Sequence, residues 1–196
     1  MKLVLASQNK KKLVEMNDIL SQLGVEVCSE AEAGVDVEVE ETGTTFEENS
    51  LLKAKAVMEA SGMPAIADDS GLCVDALNGA PGVYSARYGG EGLDDVGRYR
   101  LLLENMRGQT PRTAKCVSVI TCCFPNGDVL TARGECPGTI AFAPMGEGGF
   151  GYDPVFFLPP LKKTFAQLSP EEKNAISHRG KALAAFREQL ETYLNP

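Results

Sequence analysis

The stretch AIADDSGLCVDALNGAPGVYSARYGG, residues 65–90, is the most informative part of the sequence for the fold. Its first three residues are apolar, as at the start of a buried strand, and they lead directly into two adjacent acids, Asp68 and Asp69. Adjacent side chains on an extended chain point to opposite faces, so one carboxylate can face a site while its neighbour supports it from behind. Asp, Ser and Gly are also common turn formers. We therefore predict a turn at residues 68–71, and the apolar residues on either side of it favour a functional site near the core.

Outward from this stretch, helix and strand patterns alternate along the chain. The N-terminal part predicts strands at residues 2–6, 25–28 and 35–39, a helix that stops at Gly24, and a second helix from a capping box at Thr45 to about residue 60. The C-terminal part predicts a helix at 94–106, a hairpin of residues 113–124 and 129–133, a strand at 155–157 and a helix at 177–194. This order predicts an α/β protein with helices packed on a mixed sheet.

Length and charge restrict the possible functions. A chain of 196 residues can form one large domain or two small lobes. Its formal net charge of −8 argues against a dedicated DNA- or RNA-binding surface, although a local basic pocket could still hold a small anion. We expect no membrane-spanning segment and no signal peptide, because no apolar run is long enough.

The cysteines indicate the compartment and argue against a zinc site. The six cysteines form no C-x-x-C pair and there is one histidine, so zinc ligation by Cys and His is not expected. Most of the cysteines lie in apolar surroundings, as buried free thiols do. We therefore expect a reducing, cytoplasmic location.

The first candidate binding segment is SQNKKK, residues 7–12, between a predicted strand and a predicted helix. Free backbone N–H groups at a helix N-terminus bind anions, and the lysines add positive charge. A helix N-cap followed by a solvated run of lysines explains the same pattern. The segment alone leaves both interpretations open.

Acidic residues supply the candidate metal ligands. Mg²⁺ prefers carboxylate oxygens and keeps several waters, so the Asp68–Asp69 pair is a possible site. The segment EVEETG, residues 38–43, could add a second metal carboxylate or could simply interact with a helix dipole.

Two segments in the C-terminal half could contact a ligand. In GGFGYD, residues 148–153, glycines allow close backbone approach, and Phe150 or Tyr152 could stack on a base or could belong to the core. His178, the only histidine, adjoins Arg179, and together they offer donors for a carbonyl oxygen or a phosphate. A lone histidine is equally compatible with a structural role.

Taken in order, these segments closely resemble one family, the inosine triphosphate pyrophosphatases, also called the Ham1/RdgB-like family. The likeness extends over nearly the whole chain, and the ordered set is far more specific than any one piece. The matching segments are SQNKKK (7–12), EETGTTFEEN (40–49), ADDSGLCVD (67–75), GAPGVYSAR (79–87), GGFGYDP (148–154) and SHRG (177–180).

The resemblance implies a reaction and a fold. Members of this family hydrolyse ITP, dITP and XTP to the monophosphate and pyrophosphate with Mg²⁺, as cytoplasmic homodimers. The implied fold is a single domain, residues 1–196, in which a long mixed β-sheet is flanked by helices and two lobes enclose a central active-site cleft.

The resemblance also implies residue roles. Asp69 would be the catalytic proton acceptor and a metal ligand, and Asp68 would support it. Glu40 would be the other metal carboxylate, with the adjacent Glu41 left open as the alternative. The implied substrate-binding residues are Ser7, Gln8, Asn9, Lys10, Lys11, Lys12, Ser70, Phe150, Gly151, Tyr152, Asp153, Lys173, His178 and Arg179.

Two other functions remain to be separated from this one. A Maf-like nucleotide pyrophosphatase would act on other modified bases. A nucleotide-binding regulator would bind the same ligands without turnover. Base choice itself is expected to depend on hydrogen bonds, because hypoxanthine and xanthine present an acceptor at position 6 where adenine presents a donor.

Overall fold

The computed structural model describes all residues, 1–196, and contains seven β-strands and five α-helices. In chain order the elements are β1 (Lys2–Leu5), α1 (Lys10–Leu20), β2 (Glu26–Cys28), α2 (Phe46–Ser61), β3 (Ala65–Val74), α3 (Asp95–Asn105), β4 (Thr113–Cys123), β5 (Val129–Ile140), β6 (Phe156–Leu158), β7 (Lys163–Thr164), α4 (Pro170–Ile176) and α5 (His178–Leu194).

The seven strands form one mixed sheet in the order β2-β1-β3-β4-β5-β6-β7. Strand β1 runs parallel to β2 and to β3, whereas β6 runs antiparallel to β5 and to β7. Strands β4 and β5 are joined by the predicted tight turn, in which the Gly127 N–H donates to the carbonyl of Phe124. The predicted α/β class and mixed sheet are therefore confirmed.

The chain divides into two compact units. The first unit comprises Met1–Asp69, Ser118–Gly134 and Arg179–Pro196, and the second comprises Ser70–Val117 and Glu135–His178. No helix in the structure is long and apolar enough to span a bilayer.

In the first unit, the alternation of side chains along β3 sorts them between two helix layers. Ile66 packs in a cluster with Met16 of α1 and Phe186 of α5. Its neighbour Ala67 packs in a different cluster with Ala54 of α2. Helices therefore cover both faces of the strand that carries the acid pair.

The second unit has its own apolar core. Leu72, Leu102 and Phe156 are almost fully buried there, and the rings of Phe156 and Phe165 lie with centroids 5.0 Å apart. This core supports the loop of residues 148–153, because Tyr152 packs against it.

Several sequence-based boundaries hold and others fail. The predicted stop at Gly24 and the predicted end of the second helix near residue 60 are confirmed, since Gly24 and Gly62 both adopt the left-handed conformation with φ of 69°. The predicted strand at 35–39 is wrong, because these residues have no strand partner, and the carboxylate of Glu30 instead accepts the N–H of Val37 at 3.2 Å. The short strand β7 and helix α4 were not predicted.

Candidate active site

Asp68 and Asp69 lie in the middle of a continuous strand. Strand β3 runs unbroken through them, so the predicted turn at residues 68–71 is wrong. The predicted divergence of the two carboxylates is nevertheless what the contacts show. Asp68 lies on the same face of the strand as Ile66 and contacts residues of α1 and α5. Asp69 lies on the same face as Ala67 and contacts α2.

Asp68 is held by three residues, and its side chain is fully buried. Ser118 Oγ donates to its Oδ1 at 3.0 Å, Arg179 Nε donates to its Oδ2 at 2.5 Å, and Lys12 Nζ lies 3.7 Å from Oδ2. Arg179 also pairs with Glu15. Burial alone would lower the pKa of Arg179, but Asp68 and Glu15 more than offset it and raise that pKa. Asp68 is therefore a fixed, paired anion.

Asp69 is held on one side only. Lys53 Nζ lies 3.2 Å from its Oδ1, 2.9 Å from Glu41 Oε1, and donates to the backbone carbonyl of Asp68 at 2.9 Å. Oδ2 of Asp69 is buried and has no hydrogen-bond partner. Burial raises the pKa of Asp69 to about 6, against the opposing effect of Lys53. A carboxylate with one unused oxygen and a pKa near neutrality is suited to accept a proton or bind a cation.

The structure distinguishes Glu41 from Glu40. Glu41 is half-buried and shares Lys53 with Asp69, whereas Glu40 is exposed. The geometry therefore favours Glu41, the alternative, over Glu40 as the second metal carboxylate. No group of three or more His, Cys, Asp or Glu side chains is arranged to hold a metal ion. Mg²⁺ is commonly bound by one or two carboxylates plus substrate phosphates, so Asp69 and Glu41 fit this ion.

Residues 7–12 form the N-cap and the start of helix α1, which agrees with the helix-cap interpretation of this segment. Asn9 is the N-cap of α1, and its Oδ1 accepts from the N–H groups of Lys11 and Lys12 at 3.0 and 3.4 Å. Ser7 Oγ accepts from the N–H of Asn9 at 3.1 Å. Part of the predicted anion-binding amide set is therefore used internally.

The side chains of this segment point in different directions. Gln8 Nε2 donates to Glu30 at 3.3 Å, and Lys10 and Lys11 are exposed. Lys12 is the one predicted cation of the segment that reaches the acid pair, and burial lowers its pKa.

In the second unit, Asp153 and Lys173 form a buried ion pair beside an aromatic ring. Lys173 Nζ lies 2.8 Å from Asp153 Oδ2 and 4.6 Å from the centroid of Phe150. The N–H of Phe150 donates to the same carboxylate oxygen at 3.0 Å. Three of the predicted substrate-binding residues are thus brought together, with Phe150 half-buried.

The rest of the 148–153 loop is fixed by polar contacts. Tyr152 OH donates to the carbonyl of Ser85 at 2.6 Å, which favours the core interpretation for this aromatic residue. Burial raises the pKa of Tyr152. The N–H of Gly151 donates to Asp95 Oδ2 at 3.0 Å. Ser70 is half-buried at the start of this unit.

His178 and Arg179 are adjacent in sequence but belong to different units. His178 is buried and stacks with Phe165, with ring centroids 6.0 Å apart. Arg179 belongs to the first unit, where it pairs with Asp68 and Glu15. Arg179 therefore uses its guanidinium to hold Asp68 and Glu15, and the joint role of His178 and Arg179 toward a ligand stays a prediction.

Sequence reasoning missed Lys53 and Ser118, which hold the acids, and Glu15, which pairs with the Arg179 that binds Asp68. A signal existed for Lys53, which lies in α2 beside the buried Ala54, a position where helical periodicity favours an apolar residue. Ser118 is a hydroxyl in an apolar strand and is too common a pattern to single out.

Comparison with known proteins identifies the family of this chain. The model of the Ham1 family matches residues 3–189. The chain belongs to the Ham1 family. A dITP/XTP pyrophosphatase from Desulforamulus reducens is 52% identical over 192 residues, covering 97% of this chain and 96% of that protein. The corresponding protein of Haemophilus influenzae, with the same name, is also 52% identical, over 193 residues, covering 96% and 98%.

Solved structures of the family share the fold. The Staphylococcus aureus Ham1 protein superposes with a TM-score of 0.88 at 44% identity, covering 98% of this chain and all of that one. A nucleoside-triphosphatase from Mycobacterium abscessus, also named dITP/XTP pyrophosphatase, gives a TM-score of 0.76 at 45% identity, covering 94% of this chain and 98% of that one. The resemblance to this family, inferred from six segments of the sequence, is thus confirmed over residues 3–189.

Proposed function

We propose that this chain hydrolyses the deaminated purine nucleoside triphosphates ITP, dITP and XTP to the monophosphate and pyrophosphate, and so removes them from the nucleotide pool. The names of its relatives support this reaction class. The observation that carries the proposal is Asp69, a buried carboxylate with an unpartnered oxygen and a pKa of about 6, beside a fully paired Asp68.

The residues suit attack of water on the α-phosphorus. Asp69 accepts a proton from the water as the water oxygen bonds to the α-phosphorus. The bond between the α-phosphorus and the oxygen that bridges it to the β-phosphorus then breaks, which releases pyrophosphate. Asp68 keeps its charge because Arg179 and Ser118 hold it, and Lys12 adds positive charge for the triphosphate.

Mg²⁺ is the cofactor we propose, with Asp69 and Glu41 as its carboxylates. When bound, the ion would neutralise charge on phosphate oxygens. Lys53 holds both carboxylates through one ammonium group, which keeps them side by side. Two mutually repelling acids in this position are explained by a cationic ligand more readily than by a gain in stability.

For the base we propose the second-unit residues. Phe150 supplies a ring face, Lys173 and Asp153 form the polar edge beside it, and His178 contributes a donor for the acceptor at position 6. We further propose a homodimer in a reducing, cytoplasmic location. All six cysteines are free thiols, which supports the compartment.

A substrate panel with product identification tests the function. ITP, dITP, XTP, ATP, GTP, dTTP and UTP are incubated with enzyme and Mg²⁺, and pyrophosphate and orthophosphate are measured separately. We expect pyrophosphate from the first three. Preference for dTTP or UTP would indicate a Maf-like specificity, and binding of ITP without any turnover would indicate a regulator.

A further inference from the structure

The segment that carries Glu41 has no regular secondary structure. Residues 35–43 form neither helix nor strand, so no ladder of backbone hydrogen bonds fixes them. Local contact within the segment is limited to a turn in which the Thr42 N–H donates to the carbonyl of Glu40 at 3.1 Å. The position of the Glu41 carboxylate therefore depends on what anchors the backbone next to it.

The first turn of α2 supplies that anchor. Asn49 Oδ1 accepts the N–H of Gly43 at 2.8 Å, and Glu48 Oε2 accepts the N–H of Thr44 at 2.8 Å. One helical turn further on, Lys53 contacts Glu41 itself at 2.9 Å. The same helix thus fixes the backbone two residues after Glu41 and also binds its side chain.

Gly43 allows this close approach. A Cβ at Gly43 would lie 2.6 Å from Asn49 Oδ1 and 2.7 Å from the Cβ of Glu48, which is closer than van der Waals contact permits. Gly43 does not have a left-handed φ, so the requirement for glycine here is one of space. The hydrogen bond and the absent side chain are parts of one arrangement.

Asn49 is poorly explained by fold stability. Its side chain is fully buried, yet its Nδ2 has no hydrogen-bond partner. A buried amide donor without a partner costs about 1–3 kcal/mol, which an apolar residue of similar size would avoid. The contact that accounts for an asparagine at this position is therefore the one that its Oδ1 makes with the N–H of Gly43.

We propose that Asn49 is a positioning residue: through the N–H of Gly43 it fixes the Glu40–Gly43 backbone so that Glu41 stands beside Asp69, ready to share a divalent cation. This role rests on the metal site of the proposed function, but it does not depend on which nucleotide is hydrolysed. Loss of an outer-shell partner of this kind weakens metal binding by about 10- to 100-fold.

The test compares Asn49→Leu with Ser50→Ala. Ser50 is the next residue of α2, is equally buried, and bonds to Glu47 and Thr121 rather than to the acid segment. Mn²⁺ binding is measured by electron paramagnetic resonance, with Mn²⁺ alone and with inosine α,β-methylene triphosphate. Amide hydrogen exchange of Gly43 is measured on the same variants, without metal.

We expect Asn49→Leu to weaken Mn²⁺ binding about 10-fold or more and to expose the Gly43 amide to exchange, while Ser50→Ala changes neither. Asn49→Asp, which keeps an acceptor oxygen, should retain the protection of Gly43. Equal Mn²⁺ affinity in wild type and Asn49→Leu, equal losses in Asn49→Leu and Ser50→Ala, or no Mn²⁺ binding by wild type in either condition would overturn the proposal. Failure of the proposed function would instead show as normal Mn²⁺ binding by wild type with no hydrolysis of ITP, dITP or XTP.

Discussion

Asp68 and Asp69 are neighbours in one strand, yet their carboxylates are held from opposite faces of the sheet. Arg179 and Ser118 bind the first, and Lys53 binds the second. Strand alternation thus gives two adjacent acids different electrostatic surroundings, which is how one carboxylate can stay charged while the other titrates near neutrality.

The first prediction concerns Asp69 as proton acceptor. Asp69→Asn should lower kcat for ITP by about 10²- to 10⁴-fold, because an amide cannot accept the proton of the attacking water. Binding of ITP, measured by calorimetry, should persist because the phosphate and base contacts remain. A variant that keeps near-normal kcat would contradict this role.

The second prediction concerns the stability of the metal-free protein as a function of pH. Burial raises the pKa of Asp69 from 3.8 to about 6. Because the folded state binds this proton more tightly than the unfolded chain, the contribution to stability is fully present below about pH 3.8 and is lost as pH rises through about 6. At about 1.4 kcal/mol per pH unit, the loss is on the order of 3 kcal/mol.

Asp69→Asn removes this titration. In the presence of a chelator, the variant should therefore unfold at higher urea concentration than wild type at pH 7, and the difference should close as the pH is lowered to 4. A difference that does not vary between pH 4 and 7 would show that Asp69 titrates normally in the fold.

The third prediction concerns Lys53 as the cation shared by two acids. Lys53→Met should destabilise the metal-free protein at pH 7 by up to about 3–5 kcal/mol, because it leaves the buried Asp69 beside Glu41 without compensation. Adding Asp69→Asn to Lys53→Met should restore part of the loss, with a coupling of about 0.5–3 kcal/mol in urea unfolding. Strict additivity of the two changes would argue against the shared contact.

Local patterns predicted the elements whose boundaries are set by neighbouring residues. The stops at Gly24 and Gly62 follow from the left-handed conformation that glycine adopts easily, and the β4–β5 turn follows from Asn126-Gly127. Residues 35–39 alternate like a strand, but the side chain of Glu30 binds the backbone there. Alternation alone cannot show whether a partner strand exists.

The candidate site was predictable only in part. The ordered motifs identified Asp68 and Asp69, which are neighbours in β3, and Lys12, whose Nζ lies 3.7 Å from Asp68 Oδ2. The contacts of Arg179 with Asp68 and of Ser118 with Asp68 join residues 111 and 50 positions apart, and no local pattern encodes such a pairing.

The last prediction concerns the loop that holds the Asp153–Lys173 pair. Gly149 and Gly151 both have positive φ, 68° and 61°, so an alanine at either position carries similar backbone strain of about 1–2 kcal/mol. A Cβ at Gly149 would also lie 2.1 Å from Asp153 Oδ2, whereas a Cβ at Gly151 would meet nothing within 4 Å.

Gly149→Ala should therefore destabilise the protein more than Gly151→Ala in urea unfolding. It should also raise KM for ITP, because Asp153 must move away from Lys173 and from the N–H of Phe150. Gly151→Ala is the matched control, since it shares the strain without the steric clash. Equal stability and equal KM in the two variants would mean that the carboxylate of Asp153 is free to shift, and that the rigid pairing seen here does not contribute to nucleotide binding.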